Sequence, residues 1–375
     1  MFIPFQVEQF LSEYEQSAEY HLGESGVHPM TLNELLELSD TGPASLGEVL
    51  LNYPEVNGAL ALRENIANLY EGVGPENVLV TVGASEANHV VASALLEPGD
   101  EVVAFRPTYQ QLPGNAVNLG IHVETVGMAE ENQWTIDIGE LETKVSDRTK
   151  FIHVVNPNNP TGHILDDGER SALIRCAEKV GAWIVADEVY AGTEREQNHA
   201  TPSFLGDYDR VIAINSMSKA YGLPGLRLGW VVAPEQQITA FWRRHEYVNI
   251  SATMLAMVLA EKALSADVRP KIIERSRRLI RVGFDKLNDQ LGVHPGIFSV
   301  VPPQASAMSF VKYELPVDSM TFATRLLKGK KTLVIPGACF GMENHFRISS
   351  ALPEDYLSES LRRINELVAE ILSAN

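Results

Sequence analysis

From about Asn77 to Pro234 the chain alternates short apolar runs with longer stretches of helical periodicity. No other feature constrains the fold as much. The runs fall at 78–82, 101–105, 151–155, 183–186, 211–214 and 228–232, and they are rich in Val and Ile at consecutive positions. A strand with one wet face alternates apolar and polar residues, so consecutive apolar positions indicate strands covered on both sides. Stretches such as 86–96 and 168–180 between them carry helical patterns. Parallel strands need crossovers of a dozen or more residues, usually helices, and this chain supplies them. The predicted fold is α/β: a mostly parallel sheet with helices on both faces.

Beyond Pro234 the character changes. Segments 236–264 and 270–291 read as long helices, with Pro270 separating or bending them. Strand-like runs follow at 298–301, 308–313, 332–335 and 346–349, then a closing helix over 353–372. This pattern predicts a smaller α+β domain joined by the N-terminal stretch. The expected division is a large domain over 45–260, with 1–44 and 261–375 forming the small domain and an N-terminal lid.

Composition excludes several classes. The 30 Lys+Arg against 49 Asp+Glu give a net charge of −19, which opposes binding to nucleic acid or to anionic membranes. Cys176 and Cys339 cannot build a disulfide framework, and no Cys/His spacing resembles a metal site. The N-terminal MFIPFQVEQFLSEYEQ lacks the basic region of a signal peptide, and no apolar run reaches the ~18 residues of a membrane span. A cytoplasmic protein is expected.

Ligands of open parallel sheets bind beyond the carboxyl ends of the strands. The runs here are followed by Gly83-Ala84-Ser85, Pro107-Thr108-Tyr109, 156–162, Asp187-Glu188-Val189-Tyr190 and Ser216-Met217-Ser218-Lys219. Any one of these could be an ordinary turn; together at one sheet edge they point to a site. Gly83 to Ser85 entering a helix would offer free N–H groups to an anion, although a plain N-cap reads the same way. Neither a Walker A loop nor a dinucleotide fingerprint is present. Lys219 lies among hydroxyls and glycines, with Arg227 eight residues on. Lysine is the amine nucleophile of Schiff-base chemistry once its pKa falls from ~10.4 toward ~7–8.

The motifs NPNNPTG (156–162), DEVY (187–190), SMSKAYGLPGLRLGW (216–230) and FRIS (346–349) resemble those of the class I/II aminotransferases, fold-type I enzymes dependent on pyridoxal 5′-phosphate. NYPEVNGALALRENIA (52–67), LEPGDEV (96–102) and PGACFG (336–341) agree in order and spacing, so the resemblance covers about residues 20 to 350. It implies a seven-stranded-type sheet in a three-layer cofactor domain beside the small domain. Lys219 would be the Schiff-base lysine and proton shuttle, Asp187 the partner of the pyridinium nitrogen, and Tyr190 with Asn159 the partners of the phenolic oxygen. Tyr109 would stack on the ring. Gly83, Ala84, Ser85, Ser216, Ser218 and Arg227 would hold the phosphate, with Tyr53 reaching the phosphate of the neighbouring subunit in a homodimer. Arg347 would clamp the substrate α-carboxylate with Asn159, and Gly23 would close over the substrate, although the resemblance leaves Gly23 and Gly26 both open for that place.

The chain departs from the family pattern in places. Ala305 and Ser306 stand where paired glycines are common, which alters the implied pocket wall. Segment 249–253 carries no basic residue where dicarboxylate-specific members bring a second arginine, which tells against aspartate as preferred substrate. His21, Glu24 and His28 lie where a lid could meet a substrate side chain. An acidic residue there would suit a basic amino acid, but a solvated N-terminal face is the preferred reading. The favoured function is transfer of an amino group between an L-amino acid and a 2-oxo acid. The alternative is a lyase or cyclase on the same fold, of the C–S lyase kind or similar at LGESGVHP (22–29) to capreomycidine synthases, which cyclise an arginine derivative. A non-catalytic regulator would need an added DNA-binding segment and a basic face.

Overall fold

The computed structural model describes residues 2–374. Residues Tyr20–His21 (β1) precede a seven-stranded sheet of Val78–Thr81 (β2), Glu101–Arg106 (β3), His122–Gly127 (β4), Thr149–Val155 (β5), Trp183–Asp187 (β6), Val211–Ser216 (β7) and Gly229–Val232 (β8). The strand order is β2-β8-β7-β6-β5-β3-β4, and only β8 runs antiparallel to its neighbours. The predicted mostly parallel sheet is therefore present.

The six apolar runs correspond to β2, β3, β5, β6, β7 and β8. The seventh strand, β4, lies outside them for a physical reason. It is the sheet edge beyond β3, most of its residues are only part-buried or exposed, and HVETVG consequently lacks a continuous apolar run. By contrast β2, β7 and β8 are buried at every position.

The C-terminal half contains Phe298–Val300 (β9), Met308–Tyr313 (β10), Thr332–Leu333 (β11), Ile335–Pro336 (β12) and His345–Ser349 (β13). Strands β12-β13-β10-β9 form an antiparallel sheet, and β1 pairs in parallel with β11. The N-terminal stretch thus joins the C-terminal part. The run at 332–335, expected as one strand, divides between two sheets.

The helix expected over 236–264 is also two, Glu235–Val248 and Met254–Ala263. Ile250 breaks it at φ +68°, and Thr253 caps the second helix by accepting the Ala256 N–H at 3.3 Å. Pro270 sits in the first turn of Arg269–Leu291, where a missing N–H is tolerated, so it begins that helix without bending it. The helix packs Ile272 and Ile273 among Met217, Trp230 and Met257, and packs Leu287 and Leu291 in the core containing Phe310 and Phe346. One rigid element therefore connects the two regions.

Candidate active site

The helix Gly83–Leu95 begins directly after β2. Gly83 has φ +71°, and a Cβ there would lie 2.5 Å from Nη2 of Arg227, so only glycine lets the guanidinium rest on the helix start. Arg227 Nη1 donates to the Pro224 carbonyl at 3.1 Å and to Ser218 Oγ at 3.4 Å. Ser216 ends β7 and Ser218 lies just beyond it, both buried. Helix-start N–H groups, two hydroxyls and a guanidinium form a concave anion site.

Glu86 secures this helix start. Its Oε2 accepts the Val82 N–H at 2.6 Å and its Oε1 contacts His245 Nδ1 at 2.7 Å, while His245 Nε2 lies 3.1 Å from the Val56 carbonyl. Burial by itself would raise the Glu86 pKa. The hydrogen bonds from His245 and Val82 outweigh it and hold the carboxyl below its ordinary range.

Asp187 closes β6 and is 3% exposed. Its hydrogen bonds are long, from Val189 N–H at 3.3 Å and Asn88 Nδ2 at 3.4 Å. Burial pushes its pKa up to about 6 against the weaker pull of these donors and of Lys219. Lys219 Nζ donates to Ser25 Oγ at 2.7 Å. Burial lowers the lysine pKa, with Glu24 opposing the shift and Arg347 reinforcing it. This is the direction that makes an amine a better nucleophile near neutral pH.

Arg347, on β13, is buried; its Nη1 donates to Asn159 Oδ1 at 3.1 Å and its Nη2 to the Gly23 carbonyl at 2.6 Å. Its Nε has no hydrogen-bond partner. Asn159 uses its other end to donate Nδ2 to Tyr190 Oη at 3.1 Å, so a single amide links the arginine to the buried tyrosine. Burial raises the Tyr190 pKa. Tyr109 donates its hydroxyl to Glu8 at 2.8 Å and meets Phe5 edge-on at 4.9 Å.

These side chains enclose a cavity of about 370 Å³. Ala84, Ser85, Tyr109, Asn159, Asp187 and Tyr190 line it, as do Ser216, Ser218, Lys219, Arg227, Arg347 and Gly23. Gly83 lies behind the wall under Arg227. Gly26 lines a neighbouring cavity instead, against the Ser218 carbonyl, so Gly23 is the glycine at Arg347. Tyr53 is 80% exposed and does not line this chain's cavity; it lies on the surface with Leu50 and Leu51, which are also exposed. Ala305 and Ser306 are buried outside the cavity wall, Ser306 at φ +84° with its N–H on Thr193 Oγ1 at 3.0 Å.

Residue-by-residue reading missed Ser25, Glu8 and Asn88. Asn88 carried a signal, as a polar residue on a helix face otherwise made of Ala87, Val90 and Val91. Ser25 and Glu8 carried none, because only the tertiary fold returns the N-terminal segment to Lys219 and Tyr109.

A parallel sheet whose strand ends gather an anion site, a desolvated amine, a buried carboxylate and a buried guanidinium defines an enzyme that can hold an anionic group beside an amine nucleophile. The family model for aminotransferase class I and II matches residues 21–364, and the chain belongs to that family. It is 30% identical over 369 residues to capreomycidine synthase of Streptomyces vinaceus, covering 96% of this chain and 92% of the relative. Identity to an aspartate aminotransferase of Streptomyces avermitilis is 28%, over 84% of this chain and 80% of that one. Among solved structures, a PLP-dependent aminotransferase from Streptococcus suis superposes with a TM-score of 0.92 at 34% identity, covering 99% of both chains. The PLP-dependent cyclase OrfR superposes with a TM-score of 0.89 at 25% identity, covering 99% of this chain and 98% of that one. The fold is thus fold type I, and the cofactor is pyridoxal 5′-phosphate. The residues present fit it: the anion site suits its phosphate, and the poorly satisfied Asp187 carboxylate suits a protonated ring nitrogen. Among the described residues no helix is long and apolar enough to cross a membrane.

Proposed function

We propose that the chain is an aminotransferase that moves an amino group between an L-amino acid and a 2-oxo acid. The observation carrying this reading is the convergence of Lys219, Asp187 and Arg347 on one cavity, with Asn159 tying Arg347 to Tyr190. Pyridoxal phosphate, when bound, supplies an aldehyde for the amine and an electron sink for the substrate Cα. Ala84, Ser85, Ser216, Ser218 and Arg227 would hold its phosphate, Asp187 would keep its ring nitrogen protonated, and Tyr190 with Asn159 would contact its phenolic oxygen. Arg347 fixes the substrate carboxylate through a planar fork of N–H donors, orienting the Cα–H toward Lys219. Lys219 Nζ would take that proton from Cα and deliver it on the cofactor side rather than back to Cα, so burial of the amine serves both nucleophile and base. Gly23, whose carbonyl already orients Arg347, closes the pocket over the carboxylate.

The large domain of this reading spans 45–260, and the enzyme works as a cytoplasmic homodimer. Exposed Leu50, Leu51 and Tyr53, close together in sequence, with Tyr247 and Ile250, support the dimer, because grouped exposure of large apolar side chains marks interaction surfaces and Tyr53 does not line its own chain's cavity. A second reading, cyclisation or elimination on the same scaffold, is favoured by the near full-length similarity to capreomycidine synthase. Mixing the purified holoenzyme with single amino acids separates the two. Transamination converts the visible absorbance to that of the pyridoxamine form, reversibly with 2-oxo acids. Release of ammonia, pyruvate or a cyclised product without an acceptor supports the second reading, and full turnover by Lys219→Ala sinks both.

A further inference from the structure

The active-site cavity carries more negative charge than the proposed reaction uses. Glu8, Glu15 and Glu24 line it together with Asp187, facing Lys219, Arg227 and Arg347. In the aminotransferase reading each cation and Asp187 already has a counterpart: Arg227 the phosphate, Arg347 the α-carboxylate, Lys219 the cofactor aldehyde and Asp187 the ring nitrogen. The three glutamates remain. Glu8 accepts only a neutral phenol, that of Tyr109 at 2.8 Å. Glu15 lies 3.8 Å from His21 Nε2, too far for a hydrogen bond, while His21 Nδ1 accepts the Gly23 N–H. Glu24 forms no hydrogen bond or ion pair with any described residue.

Their position gives this surplus a direction. A second cavity of about 280 Å³ adjoins the first, and the two share Glu24, Ser218, Lys219 and Pro224. Glu24 therefore stands at the junction of the two cavities, on the wall that also carries Lys219, while Glu8 and Glu15 line the first cavity. The buried Arg347, with its Nε unpartnered, lines the same cavity and marks the carboxylate end of an amino-acid ligand. With the carboxylate on Arg347 in that reading, Glu8, Glu15 and Glu24 line the space left to the side chain.

We propose that this enzyme selects amino acids whose side chain ends in a positive charge, a guanidinium or ammonium group received by Glu24 together with Glu8 and Glu15. The proposal rests on the amino-acid-transforming reading above and names its substrate class. It holds equally for transamination and for cyclisation, since both begin with the same bound amino acid. The glutamates lie on the N-terminal segment, so selectivity is set by the part of the chain that closes the pocket rather than by the sheet.

The test compares L-arginine with its neutral isostere L-citrulline, and L-lysine with L-norleucine, uncharged and one atom shorter, in single-turnover reactions of the holoenzyme. Arginine should exceed citrulline in kcat/KM by about tenfold or more, the effect of a partly solvated charge pair contributing roughly 1.4 kcal/mol. Glu24→Gln should lower the arginine rate more than the citrulline rate, shrinking that ratio, and added salt should shrink it in the wild type. Dissociation constants for the four amino acids on cofactor-loaded Lys219→Ala protein give the same comparison without turnover. Equal handling of arginine and citrulline, a preference for aspartate, or a ratio unchanged by Glu24→Gln overturns the charge selectivity alone. If no amino acid perturbs the cofactor spectrum, the functional reading fails and this proposal fails with it.

Discussion

Replacing Gly83 by Ala tests the anion site through its geometry. The residue sits at φ +71°, a region that costs an L-amino acid about 1–2 kcal/mol, so the variant should lose about that much unfolding free energy. The new Cβ would also lie 2.5 Å from Arg227 Nη2, closer than real contacts allow, and a tight 3.2 Å from its Cζ. Arg227 cannot simply swing aside, because Nη1 is held by the Pro224 carbonyl at 3.1 Å and Ser218 Oγ at 3.4 Å. The guanidinium must therefore leave its place over the N-terminus of Gly83–Leu95. A hydrogen bond to a charged group is worth about 1.5–3 kcal/mol, which corresponds to a roughly 10- to 150-fold weaker hold on the cofactor. Titrating cofactor-free protein with pyridoxal phosphate measures the affinity, and denaturant unfolding measures the stability. Arg227→Ala serves as reference. If Gly83→Ala loses stability yet binds the cofactor as tightly as wild type, Arg227 is not a phosphate ligand and the argument is wrong.

Asp187 supplies a pH prediction. Burial raises its pKa in the cofactor-free protein to about 6 from an ordinary 3.8, so between these values the folded state binds more protons than the unfolded state. Stability then falls as pH rises through this window, with a contribution of up to about 3 kcal/mol at 1.36 kcal/mol per pKa unit. Cofactor-free Asp187→Asn should gain on wild type in urea unfolding at pH 7.5 and not at pH 4; a constant difference between the two proteins counts against the buried charge. The exposed apolar surface gives another prediction: Leu51→Asp combined with Tyr247→Asp should sediment as a monomer and release cofactor faster than wild type. Unchanged sedimentation would remove the support that this surface lends to a dimer.

Much of the fold was readable because burial on both faces forces a recognisable composition. Strands β5, β6 and β7 carry consecutive apolar residues, Val154-Val155, Ile184-Val185-Ala186 and Val211 to Ile214, for that reason, and the exposed edge strand β4 lacks such a run because it lacks that cover. The break between Val248 and Met254 was hidden as well, since a single left-handed residue, Ile250, carries it without any glycine or proline. Site residues at strand ends were legible as motifs because a turn, a hydroxyl pair and a lysine must follow one another in sequence to share a single strand end. Asn159 and Arg347 were each legible too, but not their hydrogen bond across 188 residues.

By itself the sequence determined what local chemistry dictates: buried strands, helix starts, and an amine placed among hydroxyls and glycines. Tertiary structure alone decided what distant segments meet. It brought Ser25 to Lys219 and Glu8 to Tyr109, and it placed Glu15 and Glu24 on the wall of a cavity containing Arg347. The physical reason is that local patterns report how each segment is solvated, whereas the electrostatic character of a pocket is a sum over groups that only the completed fold assembles.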